Sequence, residues 1–405
     1  MNIISRTGCR IFQTLFKLAI PALPYRSPEI LDHVSQIPEH LLDRDIHRIL
    51  IVTDGFLHIS GALETMKKAL SSAGIHYTVY DETVPNPTVW NVESARETYI
   101  KNNCQALIGF GGGSAIDCAK AVGARIARPG LTVPKMRGIL KIRKRLPHLI
   151  AVPTTAGTGS ETTLATVITD DKNYHKFPIN DFPLIPRAAV LDPENTRSLP
   201  PHLTATTGMD ALTHAIEAYI GRSTTRSTRK DALTAMKLIA DNIEQAYACG
   251  DDMEVRKNML TAAFRAGRAF SVSYVGYCHA VAHSLGGKYH IPHGLANAVL
   301  LPYVLERYGA SIYNKANDIA VAMGIVDTTV PADRATHALI ARIRQLNAHM
   351  GIPTKLPGIR PEDIPQLAAF AAKEANPLYP VPKLMDRKEL EMLYYDVMEE
   401  AHETR

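Results

Sequence analysis

The sequence predicts an α/β N-terminal half, a parallel sheet with helices on its faces, followed by an all-α C-terminal half. Three observations carry this. Short apolar runs alternate with helical patterns through the first half, no strand-like run of comparable strength follows, and the texture changes at "LDPENTRSLPPHL". Strands that alternate with helices are the pattern of a parallel sheet covered on both faces.

Taken in order, the segment "IFQTLFKLAIPALPY" (11–25) follows Arg6 and Arg10, with no acidic residue before Glu29. That composition raises the question of a targeting segment. Lys17 and Pro21 interrupt it, no A-x-A cleavage site is evident, and it is too short to span a bilayer. It reads as an amphipathic N-terminal helix of the mature protein. Strands are predicted at "RILIVT" (48–53), "HYTVY" (76–80), "QALIGF" (105–110), "HLIAV" (148–152) and "AAVL" (188–191), each bounded by Gly, Pro or Asp. Helical patterns such as "GALETMKKALSSAG" lie between them. The basic run "KMRGILKIRKRLPH" (135–148) reads as a solvated connection.

Past it, "TRKDALTAMKLIADNIEQAYA", "ADRATHALIARIRQLNAHM" and "RKELEMLYYDVMEEA" carry apolar residues at three-and-four spacing, as amphipathic helices do. The boundary is placed between Asn195 and Pro201, giving an α/β domain over 1–198 and an all-helical domain over 199–405. A chain of 405 residues has room for two domains of ordinary size, and 46% hydrophobic content is an ordinary globular balance. The excess of 45 basic over 40 acidic residues is too slight to argue for nucleic acid, and no membrane partner is expected. Five scattered cysteines without a C-x-x-C pair point to a reduced, cytoplasmic setting.

"IGFGGGSAIDCAKAVGA" follows a predicted strand and opens a helix. Gly111, Gly112 and Gly113 remove side chains where a phosphate must approach backbone amides, and Ser114 stands at the helix start, where unpaired donors and the dipole favour anions. A second loop, "PTTAGTGSETT" (153–163), offers Thr154, Thr155, Thr158 and Ser160 from a neighbouring strand end. In the usual dinucleotide fold an acidic residue follows the glycines. Here Asp54 precedes them by more than fifty positions, so a conventional Rossmann unit is disfavoured while a Rossmann-like dinucleotide site, with Asp54 on the adenosine ribose, is retained.

"YCHAVAHSLGGKYHIPHGLANAVLL" places four of sixteen histidines, His279, His283, His290 and His293, close together. In "GMDALTHAIEAYIG", Asp210 and His214 are four apart and share a helical face, and His279 and His283 repeat that spacing. His290 and His293 look to lie on a loop. A carboxylate with several imidazoles and no thiolate suits Fe(II), Zn(II), Co(II) or Mn(II).

With "GGGSAIDCAK", "PTTAGTGSE", "GMDALTHAIEAY", "CHAVAHSLGGKYHIPHGLANAVLLP" and "VPNPT" in order, the chain resembles the iron-containing (group III) alcohol dehydrogenases over about residues 45–400. The resemblance implies a dehydroquinate-synthase-like fold and a metal-dependent, NAD-linked interconversion of a primary alcohol and its aldehyde. NAD is the preferred cofactor, with NADP the other nicotinamide carrier to test, and the metal is Fe(II), with Zn(II) as the alternative. It implies Asp210, His214, His279 and His293 as metal ligands and His283 as a nearby histidine that is not a ligand but faces substrate and handles a proton. Asp54, Asn86, Gly113, Ser114, Asp117, Thr154, Thr155 and Lys176 match cofactor-contacting positions. Phe270 falls at a substrate-pocket position, and Ala165 is read as another. His290 has no role in this set, and Glu217, one turn beyond His214, is a candidate to support the ligands. A homodimer or larger homo-oligomer is expected. The chain departs from the family where "YRSPEILDHVSQIP" replaces the usual N-terminal strand. Rival readings are a polyol (glycerol-type) dehydrogenase of the same fold and a metal-dependent hydrolase, although a hydrolase needs neither the glycines nor Asp54.

Overall fold

The computed structural model describes residues 3–172 and 176–399. Glu400 and Ala401, at the end of the last predicted helical stretch, lie outside these residues. The chain divides into two compact units, one running from Pro24 to Leu199 and the other combining the segment up to Leu23 with the chain from Pro200 onward.

Helix α1 (Ile3–Ala19) belongs with the helical unit, which corrects the expected 1–198 domain. The reason lies in its polar side chains. Arg10 donates to the carbonyls of Val381 (2.7 Å) and Pro382 (2.9 Å), and Gln13 donates to Tyr379 O (2.7 Å). A short 3-10 turn, Ile20–Ala22, follows at Pro21.

In the α/β unit the strands are β1 (Glu29–Leu31), β2 (Arg48–Val52), β3 (His76–Tyr80), β4 (Ala106–Gly111), β5 (Gly138–Ile139), β6 (His148–Pro153), β7 (Ala165–Thr169), β8 (Lys176–Asn180) and β9 (Ala188–Val190). Between them come α2 (Ile37–Leu42), α3 (Gly55–Ile59), α4 (Glu64–Ser72), α5 (Val89–Lys101) and α6 (Gly113–Ala127). Six strands form one sheet in the order β1-β9-β6-β4-β2-β3, every pair parallel. The five predicted strands are all in it. Successive side chains leave opposite faces, so Leu50 and Val52 enter one buried cluster while Ile49 and Ile51 enter another. The sheet is thus covered on both sides, as its uninterrupted apolar runs require.

Two strand features were not expected. Residues Glu29–Leu31, inside the stretch thought to replace the family's N-terminal strand, pair in parallel with β9 at the sheet edge. Strands β7 and β8 form an antiparallel hairpin, with β5 alongside β8. The lysines and arginines of the 135–148 run are exposed, in line with a solvated connection.

Register sets up the crevice of this unit. Val52 aligns with Gly109, Gly109 with Ala151, and Gly111 with Pro153. The C-terminal ends of β2, β4 and β6 therefore lie side by side, with Asp54, the glycines and Thr154 just beyond them.

The second unit is built from α1 and α7 (Pro201–Ile220), α8 (Arg226–Ala248), α9 (Met253–Ser273), α10 (Tyr277–Tyr289), α11 (His293–Tyr308), α12 (Tyr313–Ala322), α13 (Ala332–His349), α14 (Ile364–Ala375) and α15 (Arg387–Val397). Pro201 occupies the first position of α7, where its missing N–H costs nothing. Thr225 with Thr228, and Asp386 with Glu389, form capping boxes that start α8 and α15. Among the described residues no helix is long and apolar enough to cross a membrane.

Candidate functional site

Helix α7 is buried along most of its length, and Asp210 and His214 project from it one turn apart. His279 comes from α10. His293 does not sit on a loop, as expected, but is the first residue of α11. Its approach to α7 depends on the next residue, since a side chain on Gly294 would come within 2.5 Å of Thr206 O and 3.5 Å of Asp210 Cβ. The result is one group: donor atoms of Asp210, His214, His279 and His293 all lie within 4.8 Å of one another.

The geometry fits a cation. Asp210 Oδ1 is 3.5 Å from His293 Nε2 and 3.7 Å from His279 Nε2, and Asp210 Oδ2 is 4.0 Å from His214 Nδ1. Four donors arranged tetrahedrally around an ion at ordinary ligand distances stand about 3.4 Å apart. Among the described residues His214 Nδ1 and His279 Nε2 are buried with no hydrogen-bond partner, an arrangement that costs free energy unless something fills the space between them. Protonation agrees. Burial pushes the rings of His214 and His293 down to about 3 and that of His279 to about 4. For Asp210 burial acts upward, but the three histidines outweigh it and hold the carboxyl below its ordinary value. At neutral pH the group is one carboxylate and three neutral imidazoles, the state that binds a divalent ion.

Glu217 supports this group. Its Oε2 lies 2.6 Å from His279 Nδ1 and accepts from Gly276 N (2.8 Å), while Oε1 accepts from Cys278 N (2.8 Å). Burial pushes its carboxyl up to about 7, against the pull of these amides. Such a contact holds the ring with Nε2 turned toward Asp210. Asn297, which the sequence reading missed, donates to Asp210 Oδ1 at 2.7 Å. Phe270 stacks on His214, with ring centroids 4.1 Å apart and an interplanar angle of 13°. His283 is one turn past His279, outside the four-residue group, and its ring stacks on His293 at 5.1 Å. His290 is an exposed left-handed residue ending α10, apart from the group.

The α/β unit gathers the expected cofactor residues around the start of α6. Gly112 is the N-cap and offers no side chain, so no N-cap side chain covers the first amides of α6, as an anion site at a helix start requires. Gly111 has φ 148°, and a Cβ there would meet Ala115 Cβ at 2.8 Å, Leu57 at 3.3 Å and Asp54 Oδ2 at 3.8 Å. Asp54 caps α3 through Oδ1, which accepts from Leu57 N at 3.0 Å. Asn86 N donates to Ser114 Oγ (3.2 Å), and Thr154 N donates to Gly111 O (3.0 Å), joining three loops. Thr155 and Thr158 face Gly112 and Gly113 respectively, within 4 Å of where Cβ atoms would stand. Lys176 pairs with Thr169 across the hairpin, whose Oγ1 donates to Asn86 O at 3.3 Å, and Ala165 lies at the opposite end of β7. Burial lowers the Lys176 amine below its ordinary value.

Asp117 is placed differently from the others. Both its oxygens are engaged inside the unit, by Ser160 Oγ (2.6 Å) and Val167 N (2.8 Å). One turn on, the fully buried Lys120 donates to Thr163 O (3.0 Å), Thr163 Oγ1 (3.0 Å) and Ala165 O (2.8 Å). Helix α6 therefore clamps the 154–163 loop through these two side chains. Lys120 escaped the sequence reading, although its i, i+3 spacing from Asp117 places both on one face.

Gly111→Ala is expected to weaken NAD binding at least about tenfold, because the new methyl must displace Ala115 at the mouth of the cradle while adopting a backbone conformation that L side chains rarely take. Fluorescence titration with NADH measures it, and unchanged affinity would remove the cradle from the cofactor site.

Residues 31–193 match the family described as "Iron-containing alcohol dehydrogenase", and residues 204–398 match "Fe-containing alcohol dehydrogenase family, C-terminal". The chain is 36% identical over 384 residues to 1,3-propanediol dehydrogenase of Citrobacter freundii, covering 94% of this chain and 98% of that protein. The solved structure titled "Crystal structure analysis of 1,3-propanediol oxidoreductase" superposes with a TM-score of 0.89 at 35% identity, covering 92% of this chain and 99% of that one. The sulfoacetaldehyde reductase from Bifidobacterium kashiwanohense, solved in complex with NAD+, superposes with a TM-score of 0.82 at 29% identity over 92% of this chain and 98% of that one. These likenesses do not favour the glycerol-type polyol alternative. With both units matched, the chain belongs to the iron-containing alcohol dehydrogenase family and is an oxidoreductase with the dehydroquinate-synthase-like fold.

Proposed function

We propose that this chain interconverts a primary alcohol and its aldehyde with NAD as hydride carrier and Fe(II) at Asp210, His214, His279 and His293, with Zn(II) the alternative ion. The observation that carries the reading is the largely buried group of one ionised carboxylate and three neutral imidazoles, two of whose nitrogens have no hydrogen-bond partner among the described residues. Those four residues would hold a divalent cation, which would make an alcohol hydroxyl easier to deprotonate and a carbonyl more electrophilic, and a bound nicotinamide would supply the hydride acceptor.

The chain's own groups do the rest. His283 takes up the alcohol proton and returns it in the reverse direction. Phe270, stacked on His214, gives the substrate an apolar wall. The amides at Gly112–Ser114 and the hydroxyls of Ser114, Thr154, Thr155 and Thr158 hold the pyrophosphate and its ribose, with Asn86 and Lys176 beside them. Asp117 acts by fixing the second loop. Asp54 Oδ2, left over after Oδ1 caps α3, accepts from the adenosine ribose hydroxyls.

Asp54→Gly tests the last assignment with little damage, because glycine is tolerated at an N-cap at a cost of a few tenths of a kcal/mol. Removing the charge relieves repulsion of the NADP 2′-phosphate, so the ratio of kcat/KM for NADP to that for NAD should rise about tenfold or more. An unchanged ratio takes Asp54 out of the site. The activity itself is tested by a panel of primary alcohols, aldehydes and glycerol-type polyols with NAD(H) and NADP(H), following nicotinamide reduction or oxidation. Turnover of polyols alone, or of none of the panel, contradicts the proposal.

A further inference from the structure

We propose that Glu374, on α14, is the positioning residue for His283, holding a proton on Nδ1 so that Nε2 is the atom that takes up and returns the substrate proton. The inference rests on the proton-carrying role proposed above for His283. Glu374 Oε1 lies 2.6 Å from His283 Nδ1, and the same oxygen accepts a second hydrogen bond from the Tyr379 hydroxyl at 2.7 Å. Burial pushes the Glu374 carboxyl up, but the neighbouring His283 and these hydrogen bonds outweigh it, and the group sits below the ordinary carboxylate range. An ionised carboxylate can only accept, so the ring nitrogen facing it must carry hydrogen.

The second bond matters as much as the first. Tyr379 is buried, and burial together with Glu374 holds its hydroxyl protonated well above its ordinary range, so it serves as a fixed donor that anchors the carboxylate. A carboxylate oxygen fixed by a second donor orients an imidazole and favours its charged form while a proton is in transit, the logic of the Ser-His-Asp triad. His279 has its own carboxylate, Glu217, on the corresponding nitrogen. Two histidines one turn apart on α10 are thus each oriented by a separate acid, one toward the ligand group and the other for proton handling. Glu374 lies 91 residues from His283 in the chain.

The test uses the full-length, Zn(II)-loaded protein. Glu374→Met removes the acceptor and keeps the bulk. It should lower kcat about ten- to a hundredfold with little change in KM or metal content and a somewhat lower thermal midpoint, since the Tyr379 hydroxyl loses its acceptor, and it should have no further effect on kcat in a His283→Ala background. Glu374→Gln retains an accepting oxygen and should fall between wild type and Glu374→Met. Independently of turnover, 15N spectra of histidine-labelled protein should show an Nδ1–H signal that disappears in His283→Ala and shifts in Glu374→Met. The proposal is overturned if Glu374→Met leaves kcat unchanged, lowers it equally with and without His283, or leaves that signal in place. If instead His283→Ala keeps full kcat, the proton-carrying role itself fails, while the nitrogen spectra still report whether Glu374 sets the tautomer.

Discussion

His279→Ala is expected to purify with little or no bound divalent metal and with kcat reduced by about a thousandfold or more. The ring is buried, its Nδ1 is engaged by Glu217, and its Nε2 faces Asp210 Oδ1 at 3.7 Å with no hydrogen-bond partner among the described residues. Truncation removes one of four donors and leaves a cavity in which water must replace an oriented imidazole, so affinity falls steeply and activity falls with occupancy. His283→Ala provides the contrast. It should keep near-stoichiometric metal while kcat drops about ten- to a thousandfold, as when a proton-transfer group is lost and water partly substitutes. Elemental analysis and kcat, measured side by side, decide the matter. A metal-depleted His283→Ala beside a metal-replete His279→Ala reverses the assignment.

Glu217→Ala should produce the largest loss of stability, about 3 kcal/mol or more, together with a metal affinity about ten- to a hundredfold weaker. The carboxylate satisfies two buried amides, Gly276 N and Cys278 N, besides orienting His279. Each amide left without an acceptor costs roughly 1–3 kcal/mol, and Glu217 itself is buried. The site is tightly built: a Cβ on Gly276 would lie 2.7 Å from Glu217 Oε1. Denaturant unfolding of metal-free and metal-loaded protein separates the two effects. A loss under 1 kcal/mol with unaltered affinity would show that Glu217 neither caps the turn before α10 nor supports the ligand.

Most of this architecture could be read before any coordinates, and the failures have physical causes. Strands such as "RILIVT" and "QALIGF" are buried on both faces, so their apolar runs announce them. Strand β1 is three residues long at the sheet edge, and only Leu31 of its side chains is buried, which leaves almost no hydrophobic signal. Strand β8 carries Pro178 and begins with Lys176, both poor advertisements for a strand, and it forms because β7 pairs with it. Helix α1 was legible as a helix but not as part of the second unit, because the carbonyls that Arg10 caps lie 371 and 372 residues away.

The clustering of Asp210, His214, His279 and His293 was legible in part because Asp210 and His214, four apart on a helix, share one face, and the fold needed only to bring α7, α10 and the start of α11 together. Spacing alone left His279 and His283 equivalent. Their different acid partners separate them, and those partners come from α7 and α14, far from either residue in the chain. Asp117 shows the converse limit: its position matched a cofactor contact, while its side chain is spent holding Ser160 and Val167.

The central claim is that a divalent ion at Asp210, His214, His279 and His293 is required for turnover. The most direct measurement takes wild-type protein, strips it with chelator until elemental analysis finds no metal, and follows alcohol oxidation with NAD before and after adding back Fe(II) or Zn(II). The account predicts activity at or near zero in the stripped protein, recovered in proportion to bound ion up to one per chain. Metal-free protein that oxidises alcohol at the original rate would contradict it.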